Sequence, residues 1–190
     1  MEALSAEEIQ RAVELALEED IGSGDVTTMA TVPPSRQAAA AMVAREALVV
    51  AGIRLAVAAF RQLSSDLTVA EQASDGQHLA VGGVLLKISG PAGAILSAER
   101  VALNFVQRLS GVATLTAQFV QTIKGTRAQI LDTRKTTPGW RRLEKYAVTC
   151  GGGRNHRIGV IVIDVDNCGG APRQQRFEQP QLGGEIRFEV

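Results

Sequence analysis

The spacing of apolar residues changes along this chain, and the change limits the folds open to it. Between residues 67 and 96, "LTVAEQASDGQHLAVGGVLLKISGPAGAIL" carries short apolar runs broken by Asp75-Gly76, Gly82-Gly83 and Gly90-Pro91. Glycine and proline at such spacing punctuate strands in a compact β-section. The next stretch, "SAERVALNFVQRLSGVATLTAQFVQTIKG", repeats its apolar residues at helical spacing, with an interruption near Ser110-Gly111. Beyond it, "AQILDT" and "VIVIDV" are apolar runs that read as buried strands, with a helix in "TPGWRRLEKYAVTCGG" between them, opened by Pro138. "EIRFEV" reads as a last strand. Strands alternating with helices indicate parallel βα units. The class is therefore α/β with α+β, in two parts: residues 1–109 and residues 110–190.

Upstream, "SAEEIQRAVELALEED" reads as a helix with Ser5 and Glu8 as its capping box. Gly22 and Gly24 end it, and "DIGSGDVTT" reads as the turn that follows. Ala38–Ala44 and Ala47–Ala51 read as strands, and "IRLAVAAFRQL" as a short amphipathic helix. Residues 169–184 are polar and rich in glycine and proline, as loops or disordered stretches are. With 20 basic and 20 acidic residues the charge is balanced. That argues against a nucleic-acid or anionic-membrane partner, while a local basic pocket stays open. No apolar run is long enough to span a bilayer, and the acidic N-terminus lacks a signal-peptide layout. Cys150 and Cys168 make no disulfide framework, so a cytoplasmic setting with reduced thiols is expected.

Three polar clusters are candidates for chemistry. "LDTRKTTPG" places Thr133, Arg134 and Lys135 just past an apolar strand, where βα architectures hold ligands. Two adjacent cations suit an anion: arginine as a planar fork, lysine as a compact charge. An Arg-Lys pair is as readily a solvated surface pair. "GGGRNHRIG" adds His156 and Arg157 beside three glycines, which let backbone approach a ligand or take positive φ. A surface loop fits that pattern equally well. Arg100, Asn104 and Arg108 form a stripe at spacing four along the long helix, and such a stripe is more often a solvated face. Neither cysteine, nor His78, belongs to a supported nucleophile or metal pattern.

Taken in order, "EDIGSGDVTT", "ERVALNFVQRLSGVAT", "LDTRKTTPGWRRLEKYAV" and "GGGRNHRIG" resemble the quinolinate phosphoribosyltransferases. The resemblance covers roughly residues 5–159 and implies an N-terminal open α/β sandwich followed by a partial α/β barrel. It implies phosphoribosyl transfer from phosphoribosyl pyrophosphate to quinolinate with decarboxylation, giving nicotinate mononucleotide in NAD biosynthesis, with Mg²⁺. It implies a homodimer or higher homo-oligomer with the site at the subunit interface. Carried over residue by residue, Thr133, Arg134, Lys135, His156 and Arg157 line the dicarboxylate pocket, with Lys135 as the catalytic lysine. Arg100 is supplied to the partner's pocket. The metal ligands stay unknown.

After Gly159 the family pattern stops, and a divergent tail begins at about residue 160. A truncated or frame-shifted chain accounts for this; so does an internal deletion that puts Asp164 of "VIDVD" in place of a family glutamate. Either leaves the parallel sheet short of neighbours, with apolar surface that favours dimerisation or aggregation. Two other functions stay open. One is an inactive relative that binds a dicarboxylate or a partner chain. The other is a lipoyl- or biotinyl-like carrier using Lys87 within the 67–96 section.

Overall fold

The computed structural model describes residues 3–156 and 186–189. The chain opens with helix α1 (Ala6–Ile21), whose capping box is formed as the spacing predicts: Ser5 Oγ accepts from the Glu8 amide and Glu8 accepts from the Ser5 amide. Ile9, Val13 and Leu17 make its buried face. After the turn at Gly22–Gly24 a second helix forms where only a turn was expected, α2 (Val26–Thr31). Asp25 starts it, accepting from the Thr28 amide at 3.1 Å, which satisfies a donor that has no partner inside the helix.

Strand β1 (Gln37–Ala44) buries Ala40, Met42 and Ala44, every second residue, as a half-buried strand should. The expected strand at Ala47–Ala51 is shorter, β2 (Leu48–Val49), and pairs with β4 (His78–Leu79). Between them lie α3 (Ile53–Leu63) and β3 (Thr68–Glu71); β5 (Val84–Pro91) follows β4. The main sheet runs β3-β5-β1-β6, antiparallel throughout. Its inner face (Met42, Leu86, Ile88) packs on Phe60 of α3 and on the long helix α4 (Ala92–Thr122). Its outer face, with Ala39, Thr68, Lys87 and Ser89, stays exposed. This is the open α/β sandwich. Lys87 sits inside β5, opposite Ala41 and Ala70, and not at a hairpin tip as a carrier lysine would.

Helix α4 runs unbroken through Ser110-Gly111, over a length of about 46 Å. The small residues there admit a neighbouring backbone instead of ending the helix. Ser110 Oγ accepts from the Ala51 amide at 3.0 Å and donates to the Ala51 carbonyl at 3.3 Å. Thr114 Oγ1 accepts from the Val49 amide at 2.9 Å. These side chains partner the backbone of Val49 and Ala51 on the α4 side, while on its other side the Val50 amide donates to the Gln77 carbonyl (2.9 Å) and the Val50 carbonyl accepts from the Gly76 amide (2.7 Å). At Gly52 (φ +98°) a Cβ would lie 3.0 Å from Leu109 Cδ1.

The C-terminal part begins with a parallel bridge rather than a full strand. Leu131 pairs with Arg154, through Asp132 N–H to Arg154 O (3.0 Å) and Arg154 N–H to Ile130 O (2.9 Å). The expected burial of "AQILDT" is inverted at its centre: Leu131 is 49% exposed and Asp132 is buried. Helix α5 (Arg141–Cys150) starts three residues after Pro138, which lies in the turn before it. "VIVIDV" lies outside the described residues. Strand β6 (Ile186–Glu189) forms, but it returns to the first sheet, antiparallel to β1, instead of extending a parallel one. Phe188 stacks on Phe60 with ring centroids 6.0 Å apart, so the apolar face of α3 anchors it.

Candidate active site

The segment between the bridge and α5 is held at both ends by one helix. At its start, Asp132 Oδ2 lies 3.0 Å from Lys145 Nζ, a charge contact without hydrogen-bond alignment. Asp132 Oδ1 accepts from the His156 amide at 3.0 Å. At its end, the Thr137 hydroxyl donates to Glu144 Oε1 at 2.7 Å, and Arg108 Nη2 donates both to that same oxygen (2.9 Å) and to Thr137 Oγ1 (3.1 Å). Burial works against the Glu144 charge, but the bonds from Arg108 and Thr137 outweigh it and hold the carboxyl below its ordinary range. Glu144 and Lys145 are consecutive in α5, so the helix fixes the distance between the two ends of the loop. Inside the loop, Thr133 Oγ1 accepts from the Lys135 amide at 3.1 Å, closing a small turn. Thr133, Arg134 and Lys135 are all exposed on it.

The second cluster lies beside the first because of the Leu131–Arg154 bridge. The three glycines ahead of it serve the protein's own packing. A Cβ on Gly151 would collide with the Ala113 carbonyl of α4 and sit 2.7 Å from Thr116 Cβ. On Gly153 it would sit 2.6 Å from Val148 Cγ1. Gly152 has φ +87°, where residues with a side chain are strained. So the run "GGG" lets the chain leave α5 tightly against α4 and enter the bridge, rather than admitting a ligand to the backbone. His156 is exposed at the end of this segment. Arg157 and Asp164 lie outside the described residues.

The third cluster is centred on Arg100. Its Nε donates to Asp20 Oδ2 (3.0 Å) and Oδ1 (3.2 Å), and its Nη2 to Asp25 Oδ2 (3.3 Å). Asp25 also accepts from the hydroxyls of Thr28 (2.8 Å) and Ser97 (3.0 Å). The Thr28 amide, then the Thr28 hydroxyl, and then Ser97 and Arg100, against a smaller cost of desolvation, draw its carboxyl down to about 2. The Arg100 side chain remains 50% exposed. Between this cluster and Pro138-Gly139-Trp140 lies a recess of about 370 Å³, walled in part by Asp20, Asn104 and Phe105. The stripe Arg100-Asn104-Arg108 is thus no plain solvated face: it is tied to carboxylates at both ends, and Asn104 between them lines this recess.

Comparison with known sequences decides the family. Residues 25–110 match the family model of the quinolinate phosphoribosyl transferase N-terminal domain, and residues 112–164 match the model of its C-terminal domain. The chain belongs to the quinolinate phosphoribosyltransferase family. The chloroplastic nicotinate-nucleotide pyrophosphorylase [carboxylating] of Oryza sativa subsp. japonica is 42% identical over 185 residues, covering 94% of this chain and 49% of the relative. The probable nicotinate-nucleotide pyrophosphorylase [carboxylating] of Bacillus subtilis is 44% identical over 178 residues, covering 90% and 61%. Among solved structures, the nicotinate-nucleotide pyrophosphorylase from Francisella tularensis superposes with a TM-score of 0.78 at 37% identity, covering 84% of this chain and 57% of that one. The chain spans about half the length of the curated relatives it matches. The C-terminal family match extends five residues past Gly159, to residue 164.

As a quinolinate phosphoribosyltransferase chain, it brings Thr133, Arg134, Lys135 and His156 to one side of the Leu131–Arg154 bridge and holds Arg100 in the separate cluster at α1 and α2. Several contributors escape sequence reading: Asp20 and Asp25, which hold Arg100, and Asp132, Glu144 and Lys145, which hold the loop. Asp25 carries a signal in retrospect, since an aspartate ahead of Val-Thr-Thr is a good helix start. Glu144 carries one too, because its spacing of three from Ala147 puts it on the buried face of α5. Cys150 is buried, and burial first, then the Asp75 charge, push its thiol up to about 12, far from a reactive thiolate. Among the described residues no helix is long and apolar enough to cross a membrane.

Proposed function

We propose that this chain serves phosphoribosyl transfer to quinolinate: the ring nitrogen forms a bond to the ribose C1, pyrophosphate leaves with the electron pair, and carbon dioxide is then lost from the adjacent ring carbon. The observation that carries the proposal is the loop 132–137. It is fixed at both ends by α5 and carries Arg134 and Lys135 past the carboxyl end of a parallel pair, with the His156 amide bonded to Asp132 at its start. Arg134 offers a two-pronged donor for one carboxylate and Lys135 a compact charge for the other or for the leaving phosphates. Loss of carbon dioxide leaves an electron pair next to the cationic ring nitrogen, which stabilises it in place until the ring carbon takes a proton from water to give nicotinate mononucleotide. Such chemistry rests on positioning and on charge held ready, with no enzyme nucleophile.

A homodimer completes the proposal, with Arg100 reaching the pocket of the partner subunit. Its guanidinium is bonded to Asp20 and Asp25, and the side chain is still 50% exposed. Among the described residues no group of three His, Cys, Asp or Glu side chains is placed to hold a metal. Mg²⁺ enters the proposal as the companion of the co-substrate's diphosphate. The test is an assay of the purified chain with quinolinate, phosphoribosyl pyrophosphate and Mg²⁺, following nicotinate mononucleotide, together with calorimetric titration of quinolinate. Lys135→Ala should weaken quinolinate binding by about tenfold or more, the worth of one charge-assisted hydrogen bond. Binding without turnover selects the inactive, dicarboxylate-binding reading. Unchanged affinity in Lys135→Ala refutes the pocket.

A further inference from the structure

The geometry points to Thr137 and Glu144 as positioning residues for the cations of the substrate loop, an inference that rests on the proposed quinolinate pocket. Neither residue needs to touch a substrate. Glu144 is 9% exposed and lies on the face of α5 turned towards α4. Its two oxygens are used inward: Oε1 accepts from the Thr137 hydroxyl and from Arg108, and Oε2 lies 3.4 Å from the Thr137 amide. Arg108 closes the ring by donating to the Thr137 hydroxyl oxygen as well. The Thr137 hydroxyl is thereby both donor and acceptor, so its rotor is fixed. Thr137 is two residues from Lys135, and the Lys135 amide is itself bonded back to Thr133. A chain of short, directed bonds thus runs from α4 through Arg108, Glu144 and Thr137 to the backbone that carries Lys135.

The opposite end of the loop is held differently. Asp132 meets Lys145 by charge and the His156 amide by one hydrogen bond. A loop fixed at one end only would swing about that end. With both ends fixed to consecutive residues of one helix, the positions of Arg134 and Lys135 are set before any ligand arrives. Pre-setting the backbone that carries these two exposed cations lowers part of the ordering cost of binding a rigid dianion. The effect on affinity must follow the bonds of Thr137 rather than its bulk.

Thr137→Val keeps the shape and removes the hydroxyl; Thr137→Ser keeps the hydroxyl. Quinolinate affinity by calorimetry and amide hydrogen exchange of residues 133–137 should be measured for both, with Glu144→Gln as a second probe and Lys135→Ala as the control for the pocket itself. Thr137→Val should raise the quinolinate Kd about tenfold and speed loop exchange, while Thr137→Ser stays within about twofold of the wild type. Glu144→Gln should shift both readouts in the same direction as Thr137→Val. If Thr137→Val and Glu144→Gln lower thermal stability yet leave affinity and loop exchange unchanged, the residues are merely structural and the inference is overturned. If Lys135→Ala weakens binding while both of these variants bind normally, the inference fails and the pocket stands. If the wild type binds no quinolinate, the pocket fails and the inference with it.

Discussion

Replacing Gly151 by alanine tests the packing that delivers the "GGGRNH" segment to the site. The backbone there has φ −77° and ψ 3°, values alanine accepts, so no conformational strain enters. The added methyl meets the Ala113 carbonyl and lies 2.7 Å from Thr116 Cβ. Carbon atoms in good contact stand about 3.5–4.0 Å apart, so α4 and the end of α5 must separate by roughly 1 Å. Neither obstacle is the movable end of a side chain: one is helix backbone and the other a β-carbon. Overpacking of a core costs about 1–3 kcal/mol, and an obstacle this rigid places Gly151→Ala near 3 kcal/mol. For a domain of this size that corresponds to a fall in Tm of about 6–12 °C. Far-UV circular dichroism melts of the wild type and variant at matched concentration read it directly. Gly125→Ala is the control, since nothing lies within 4 Å of its added methyl and only its φ of +86° is unfavourable. A Tm within about 2 °C of the wild type would refute the packing argument, because the expected range begins three times higher.

Ser110→Ala should destabilise by about 1–3 kcal/mol, since it strands the Ala51 amide and carbonyl in the core; a urea midpoint equal to that of the wild type contradicts this. The pH dependence of stability should carry the mark of Asp25. Its folded carboxyl is drawn down to about 2 from 3.8, so its contribution is complete above the unfolded value and is lost as pH falls through about 2. Asp25→Asn should therefore flatten the acid limb between those values, as read by urea midpoints across the range, and a limb of unaltered slope would argue against the hydrogen bonds, led by the Thr28 amide, that hold this carboxyl low.

What could be read from the sequence was whatever is decided within a few residues. Ser5 and Glu8 name the start of α1 because both partners lie in one turn. "IRLAVAAFRQL" became α3 without change of bounds, its apolar residues repeating at helical spacing. Apart from α2, whose start at Asp25 is a local signal, the errors come from long-range partners. Ser110-Gly111 looks like a break until residues 49–51 are brought against it. "AQILDT" looks like a buried strand until, among the described residues, it is seen bridged to Arg154 with Leu131 half exposed. The Glu144-Lys145 pair looks like helix decoration, since only the docked position of α5 turns one charge to each end of the loop. The basic residues Arg134, Lys135 and His156 were legible as candidates because they sit next to apolar runs. The carboxylates that hold them were not, because an acidic residue acquires that role only from what it faces.

Helix α4 is the common reference for every part of the site. Arg100 ties it to the α1–α2 turn, Arg108 to the loop, Ser110 and Thr114 to residues 49–51, and Ala113 with Thr116 to Gly151. A helix is suited to this because its rise per residue is fixed, so segments far apart in sequence are spaced by counting along it. Arg100 and Arg108 are two turns apart, roughly 12 Å along the axis. Arg108 is engaged with the chain's own loop. Arg100 is engaged with Asp20 and Asp25 on the other side of the recess, and among the described residues it makes no bond to Thr133, Arg134, Lys135 or His156. One stripe of one helix thus carries two arginines with different partners: one holds the loop of its own chain, and the other, half-exposed, is paired with the carboxylates of the α1–α2 turn. That division supports the proposal that a complete dicarboxylate pocket draws on two copies of the chain. The two aspartates fix the Arg100 guanidinium against the α1–α2 turn, so its position is set within its own chain.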